Sequence, residues 1–289
     1  MSWKILELSE NVEISLSTDK KRIVNGTNMK SWHKQTIQNL KRVFNENLDY
    51  LAFIVGGSVA RGDARDDSDV DYLIIVSDRL FAESKKGWKY HSAYEYCAPP
   101  CTEANGLMIT KKCLKRLMRK GNEPTRWALK KISMEFCRDS EIQKILEKIS
   151  TYPIGSQQEK IEGFYSQVKG NYMLLKKGLK SSNNYLIHHC IDKIVFFSAR
   201  LILADNKMLY PNRKWLMSEV EKAVDKPDKF NEYALELLSN PGLERAKNFI
   251  ERVFNYKNYP EPSGGWLFRF HRENIFRYHE KSFYPLEEL

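Results

Sequence analysis

With 289 residues, 42% of them hydrophobic and 12% aromatic, the chain can bury one large core or two ordinary ones, which excludes a disordered or fibrous protein. No run reaches the roughly 18 to 20 apolar residues of a membrane span, and the opening MSWKILELSENVEISLS sets acids where a secretory signal is apolar, so a cytoplasmic chain without a membrane partner is expected. A formal charge of +10 favours contact with anions such as nucleotide phosphates, nucleic acid or an acidic partner, and suits a small polycation poorly.

In chain order, Ile37, Leu40, Val43 and Phe44 fall on one side of a predicted helix over 31–48. The apolar run LAFIV at 51–55 ends at two glycines, and YLIIV at 72–76 is a second run rich in β-branched residues. Both read as buried strands. LMIT at 107–110 is a third predicted strand, followed by a helix from Lys111. Cys97 and Cys101 in CAPPC have no second Cys/His pair of matching spacing, and five scattered cysteines do not form a disulfide framework, so reduced thiols are expected. Helix, two strands, a third strand and further helices describe an α+β sheet over 30–145, and the Tyr152, Pro153, Gly155 stretch marks the expected boundary between domains at 1–150 and 151–289.

Beyond the boundary the apolar period becomes helical over 161–179 and 185–204, then after Trp215 and over 234–238 or 243–254, which reads as a C-terminal helical bundle. His188 and His189, adjacent on a helix, cannot face the same way; one is expected in the core and one at the surface. Ser263, Gly264 and Gly265 open an aromatic and basic tail from Trp266 that suits stacking and phosphate contact with a single-stranded nucleic-acid end, or in which Phe268, Phe270, Phe276 and Tyr278 are core contacts with arginines outside, the reading their partly amphipathic spacing favours.

The chemistry concentrates in residues 55–76, VGGSVARGDARDDSDVDYLIIV. A strand ends at Val55, glycines allow a tight turn, and Ser58 opens a short helix. Gly57 and Ser58 thus give a phosphate room to approach backbone N–H groups, with a hydroxyl as added donor. Asp69 and Asp71 stand two apart on an extended segment, so their carboxylates share a face. Two such like charges are stabilised by a divalent cation between them, and oxygen-only ligation beside a phosphate suits Mg²⁺. Asp63, Asp66 and Asp67 read as loop surface.

The pattern Gly57, Ser58, x, Ala60, Arg61, Gly62, x5, Ser68, Asp69, x, Asp71 resembles the signature of the DNA polymerase β type nucleotidyltransferase superfamily. That resemblance implies a mixed sheet flanked by helices, a two-ion Mg²⁺ site, ATP or another NTP as substrate, and Gly57, Ser58, Arg61 and Ser68 as nucleotide contacts. It also implies a third acid on a neighbouring strand. Glu103 is the first choice for it and Glu95 the reserve, while Asn105 sits nearer the expected register. The stretch from Leu201 to Trp215 is similar to the helical segment of small antibiotic-type (lincosamide or aminoglycoside-like) nucleotidyltransferases, which implies that Lys214 meets nucleotide phosphates. Asp71 or Asp192 would serve as base. The leading expectation is transfer of AMP from ATP to a hydroxyl of a small molecule, antibiotic modification being the family's example. The alternatives are a toxin-like enzyme acting on tRNA or a protein, and a nucleotide-binding protein without turnover.

Overall fold

The computed structural model describes residues 29–84 and 89–276; the opening stretch and Tyr278 lie outside them. α1 (Ser31–Asn45) forms because Ile37, Leu40 and Phe44 make one buried stripe. It is followed by β1 (Tyr50–Val55), α2 (Gly57–Arg61), β2 (Val70–Val76), α3 (Asp78–Glu83), β3 (Lys89–Ser92), β4 (Ala104–Thr110), α4 (Lys111–Lys120), α5 (Glu123–Ala128), β5 (Ser133–Cys137) and α6 (Ser140–Ile149). The strands make one sheet in the order β3-β4-β2-β1-β5, with β2 and β4 parallel and the other pairs antiparallel.

Two of these strands have no apolar run to announce them. β3 (KYHS) and β5 (SMEFC) lie at the two ends of the strand order and form by pairing with a neighbour already in place. β4 also begins earlier than the expected 107–110, because register pairing of Val70 with Ala104 and Asp71 with Asn105 carries Ala104, Asn105 and Gly106 into the ladder.

Side-chain alternation divides the sheet. Phe53, Val55, Tyr72, Ile74 and Met108 pack against α1, while Ala52, Ile54, Ile75 and Ile109 pack against Leu114 of α4 and Ile142, Ile145 and Ile149 of α6. Asp71 and Leu73 share the α4/α6 face with Ile75. The charged start of β2 is therefore presented where that helical cover ends.

The C-terminal helical region comprises α7 (Gln157–Lys180), α8 (Asn184–Asp205), α9 (Leu216–Glu221), α10 (Phe230–Ser239), α11 (Leu243–Tyr256) and α12 (Trp266–His271). Both alternatives for the later helix form, as α10 and α11. Two expectations change. His188 and His189 are both exposed, because the buried stripe of α8 runs through Ile187, Cys190 and Ile191 on either side of them. In the tail, Arg269 is buried against Glu273 at 2.8 Å while Phe268 is 59% exposed, so an arginine is inside and an aromatic outside. Phe270 is buried as expected; the Phe276 side chain lies outside the described set. No helix among the described residues is long and apolar enough to cross a membrane.

The sheet and the helical region meet at a buried carboxylate. Glu123, at the start of α5, is 2% exposed; it accepts from Nζ of Lys160 on α7 and from the Tyr210 backbone N–H at 2.6 Å. Nη2 of Arg200, on α8, lies 3.8 Å from the same carboxylate, with its guanidinium over the Tyr210 ring. Arg126, on α5 with Glu123, donates to the carbonyls of Gly121, Met118 and Ile149. Burial pushes the Lys160 ammonium below its ordinary proton affinity, and the Glu123 carboxylate acts against that shift.

Removing one partner of such a group leaves uncompensated buried charge, so Glu123→Ala is expected to lower stability by about 3–5 kcal/mol. Urea unfolding followed by circular dichroism measures it; a loss below about 1 kcal/mol would show that packing alone holds the joint.

Candidate active site

The turn after β1 is built by a steric requirement. Gly57 has φ +61°, and a Cβ there would lie 2.1 Å from Oδ2 of Asp71. Only a glycine lets the backbone of α2 rest against that carboxylate. Gly56 N–H donates to the Asp71 carbonyl at 2.9 Å, which stitches the turn to the start of β2, and Gly62, at φ +84°, closes α2 by donating to the Ser58 carbonyl at 3.0 Å. Gly57 and Ser58 line the cleft, and N–H groups in the first turn of a helix are not taken by its own ladder.

The loop between Gly62 and β2 is pinned from both sides. Ser68 uses its hydroxyl to accept from Arg65 N–H at 2.9 Å, and its carbonyl is bonded to the buried ring of His33 on α1 at 2.9 Å. Lys30 pairs with Asp66, and Arg65 pairs with Asp67 where this loop borders the cleft. Asp69 precedes β2 by one residue and Asp71 follows its first residue, so both acids fall on the face that opens into the cleft.

Neither Asp69 nor Asp71 forms an ion pair among the described residues. Lost hydration inside the cleft pushes the Asp71 carboxyl above its ordinary proton affinity although its edge stays accessible; Asp69 adds to this, and Arg61 and Lys214 pull the other way. Across the parallel ladder, Asp71 is in register with Asn105. The Asn105 amide donates to Asp69 at 3.3 Å and to the exposed Glu103 at 3.2 Å. Glu103 is thus linked to the pair at one remove, and no group of three His, Cys, Asp or Glu side chains among the described residues is gathered for a metal. Glu95 is exposed on the turn after β3 and outside the cleft lining, and Asp192 is exposed on α8, also outside it.

In the same cleft, three segments meet around one guanidinium. Arg61 lies 5.3 Å from the Trp127 ring centroid on α5 and 5.1 Å from that of Trp215, which caps α9, while Asp63 takes its Nε and Nη2 at 3.3 and 3.2 Å. Lys214 sits 5.2 Å from the same Trp215 ring. These groups line a cleft of about 1120 Å³ that holds the acids, Arg61 and Lys214 and is lined as well by Leu73, Leu107, Leu117 and Ile132. The donor set fits a divalent cation: two carboxylate oxygens without a protein counter-ion, beside a turn that only glycine can make. Of the sequence candidates, Gly57, Ser58, Arg61, Ser68, Asp69, Asp71 and Lys214 line this one cleft, and Glu103 does not.

Sequence reasoning missed Trp127, whose α5 has no extended apolar period, and Glu123, which sets its position. The available signal was local. Asn122 caps α5 by accepting from Thr125 N–H at 3.1 Å, and Pro124 stands in its first turn, a start pattern readable as NEPT.

Residues 37–118 match the nucleotidyltransferase domain family, a span from α1 to α4 that includes the glycine turn, both acids and Asn105. No curated protein matches the chain. Among solved structures, a nucleotidyltransferase-like protein from Exiguobacterium sibiricum 255-15 is similar, at 14% identity and a TM-score of 0.46, over 78% of this chain and 73% of that one.

The turn geometry makes a direct test. Gly62→Ala meets nothing within 4 Å and bears only left-handed backbone strain, about 1–2 kcal/mol, whereas Gly57→Ala adds a collision with Asp71. Gly57→Ala is therefore expected to cost more by urea unfolding, and the double variant Gly57→Ala/Asp71→Gly, which also removes the Asp71 Cβ at 2.9 Å, to recover the excess; equal costs for the two glycines would contradict the contact.

Proposed function

We propose that this chain, whose residues 37–118 match the nucleotidyltransferase domain family, moves a nucleoside monophosphate, AMP from ATP foremost, onto a hydroxyl of a small-molecule acceptor. On this reading residues 1–150 form the catalytic domain and 151–289 the substrate-binding one, working in the cytoplasm, where the five free thiols stay reduced. The observation that carries it is the Asp69 and Asp71 carboxylates, neither in an ion pair among the described residues, sharing one cleft with Asp71 packed against the Gly57 turn.

Asp69 and Asp71 would hold Mg²⁺, which when bound supplies Lewis-acid neutralisation of the phosphate charge. Gly57 and Ser58 receive phosphate oxygens on backbone N–H and hydroxyl, and Arg61 and Lys214 in the same cleft meet the polyphosphate charge. The acceptor oxygen forms the new bond to the α-phosphorus as the α–β phosphoanhydride breaks and pyrophosphate leaves. Asp71, the acid at the turn, takes the acceptor's proton and passes it to solvent. A nucleotide does not fill 1120 Å³, and the apolar lining at Leu73, Leu107, Leu117 and Ile132 suits a second small molecule.

A second reading, transfer to an RNA end, is favoured by one feature: Lys112, Arg116 and Arg119 form an exposed stripe on α4, whose Leu117 lines the cleft. The tail does not add to it, since Arg269 and Phe270 are packed inward.

Labelled NTPs incubated with Mg²⁺ and with either hydroxylated small molecules, including antibiotics, or total tRNA separate these readings by where the label lands. Label on a small molecule supports the first, label on RNA the second, and binding without product leaves only nucleotide binding. Asp69→Asn and Asp71→Asn are each expected to cut turnover by roughly a hundredfold or more with unchanged thermal melting. Full turnover in either variant would rule out the site.

A further inference from the structure

We propose that Trp127 and Trp215 are positioning residues for the nucleotide: they clamp the Arg61 guanidinium so that its Nη1 end is presented to the polyphosphate. The inference rests on the nucleotidyl-transfer reading of the cleft and deepens it.

An arginine at a cleft wall ordinarily samples many rotamers, and ordering it on binding costs affinity. Here that ordering is done in advance. Trp127 and Trp215 lie near the guanidinium at 5.3 and 5.1 Å from ring centroid to Cζ, distances at which a cation is attracted to an indole. Asp63 occupies the Nε–Nη2 edge, and only 16% of the Arg61 side chain is exposed. What remains for a ligand is the Nη1 end, on a residue that lines the cleft with Ser58, Asp71 and Lys214.

The two indoles come from separate parts of the chain. Trp127 lies one helical turn beyond Glu123 on α5, and Trp215 lies five residues beyond Tyr210, whose N–H that same carboxylate holds. Arg61 belongs to α2, directly after the glycine turn. The clamp therefore joins the phosphate turn of the sheet to the helical region at one guanidinium. A planar donor fork suits this task where lysine would not, because only guanidinium both stacks on aromatic faces and offers donors in its own plane.

Isothermal titration of the full chain with ATP or with inorganic tripolyphosphate, each with Mg²⁺, tests the clamp. Trp127→Leu and Trp215→Leu are each expected to weaken both ligands about tenfold, and Trp127→Phe and Trp215→Phe to stay within about threefold of wild type, since a phenyl ring retains the cation–π contact. Arg61→Lys, which keeps the charge and loses the stacked fork, is expected to behave like the leucine variants and covers the case in which a tryptophan variant fails to fold. AMP, which lacks the β- and γ-phosphates, is expected to bind all variants alike; equal weakening of AMP and ATP would mean general loosening of the cleft and overturn the proposal. Wild-type affinity for tripolyphosphate in the leucine or Arg61→Lys variants would also overturn it. If the wild-type chain binds neither ATP nor tripolyphosphate, the nucleotidyl-transfer reading itself falls, which is distinct from binding that ignores the tryptophans.

Discussion

One buried carboxylate organises this molecule. Glu123 has to find its partners inside protein, and it finds them on three separate segments: it accepts hydrogen bonds from Lys160 on α7 and from the Tyr210 backbone after α8, and Arg200 on α8 stands 3.8 Å away as a counter-ion. A buried ion pair of this kind returns little net stability, because desolvation offsets most of the attraction. Its effect is to make other dockings of the helical region expensive, since any shift strands two cations or a carboxylate away from water. The walls of the cleft inherit their positions from that point: α5 places Trp127, and the chain beyond Tyr210 places Lys214 and Trp215.

Charge illustrates how far a whole-chain quantity can stand from a site. The surplus of +10 pointed to anionic partners and away from polycations. Yet between residues 111 and 148 the chain carries twelve lysines and arginines against five acids, largely on α4, α6 and the turn between α5 and β5. The cleft itself is lined by three cations and four carboxylates. Net charge therefore says little about which small molecule the cleft accepts, and the argument against an amine-bearing acceptor loses its footing. The same surplus still bears on what can lie along the outer side of α4.

Much of the fold was legible because its signals are local. The stripe of Ile37, Leu40 and Phe44, the runs of β1 and β2, and the broad apolar face of α8 each state their period within a few residues. The glycine turn and the Asp69–Asp71 pair were legible for the same reason: spacing two apart on a strand fixes a common face before any tertiary contact is known. What could not be read depends on partners far away in sequence. β3 and β5 exist only through their neighbours, Phe268 and Arg269 exchange their expected roles because Glu159, Glu162 and Glu273 surround the arginine, and Trp127 matters only because α5 is anchored to helices that come later in the chain. The third acid was uncertain from sequence for a related reason. Asn105 and Glu103 share a strand face, and only the register with β2 tells which stands opposite Asp71.

That register decides how much negative charge the site holds. A carboxylate at position 105 would face Asp71 and crowd Asp69, three like charges with no cation of the protein in contact. The amide replaces that repulsion with a hydrogen bond to Asp69 and passes a second one outward to Glu103. The cleft is left with two carboxylates for a divalent ion, too few to build an all-protein cage for magnesium, which keeps several waters and completes its shell from substrate phosphates. On the proposed reading, ion and triphosphate are therefore held as one unit by the Asp69–Asp71 pair and the cations that line the same cleft. A guanidinium fixed in advance there contributes most in such an arrangement, because protein carboxylates alone do not anchor the ion.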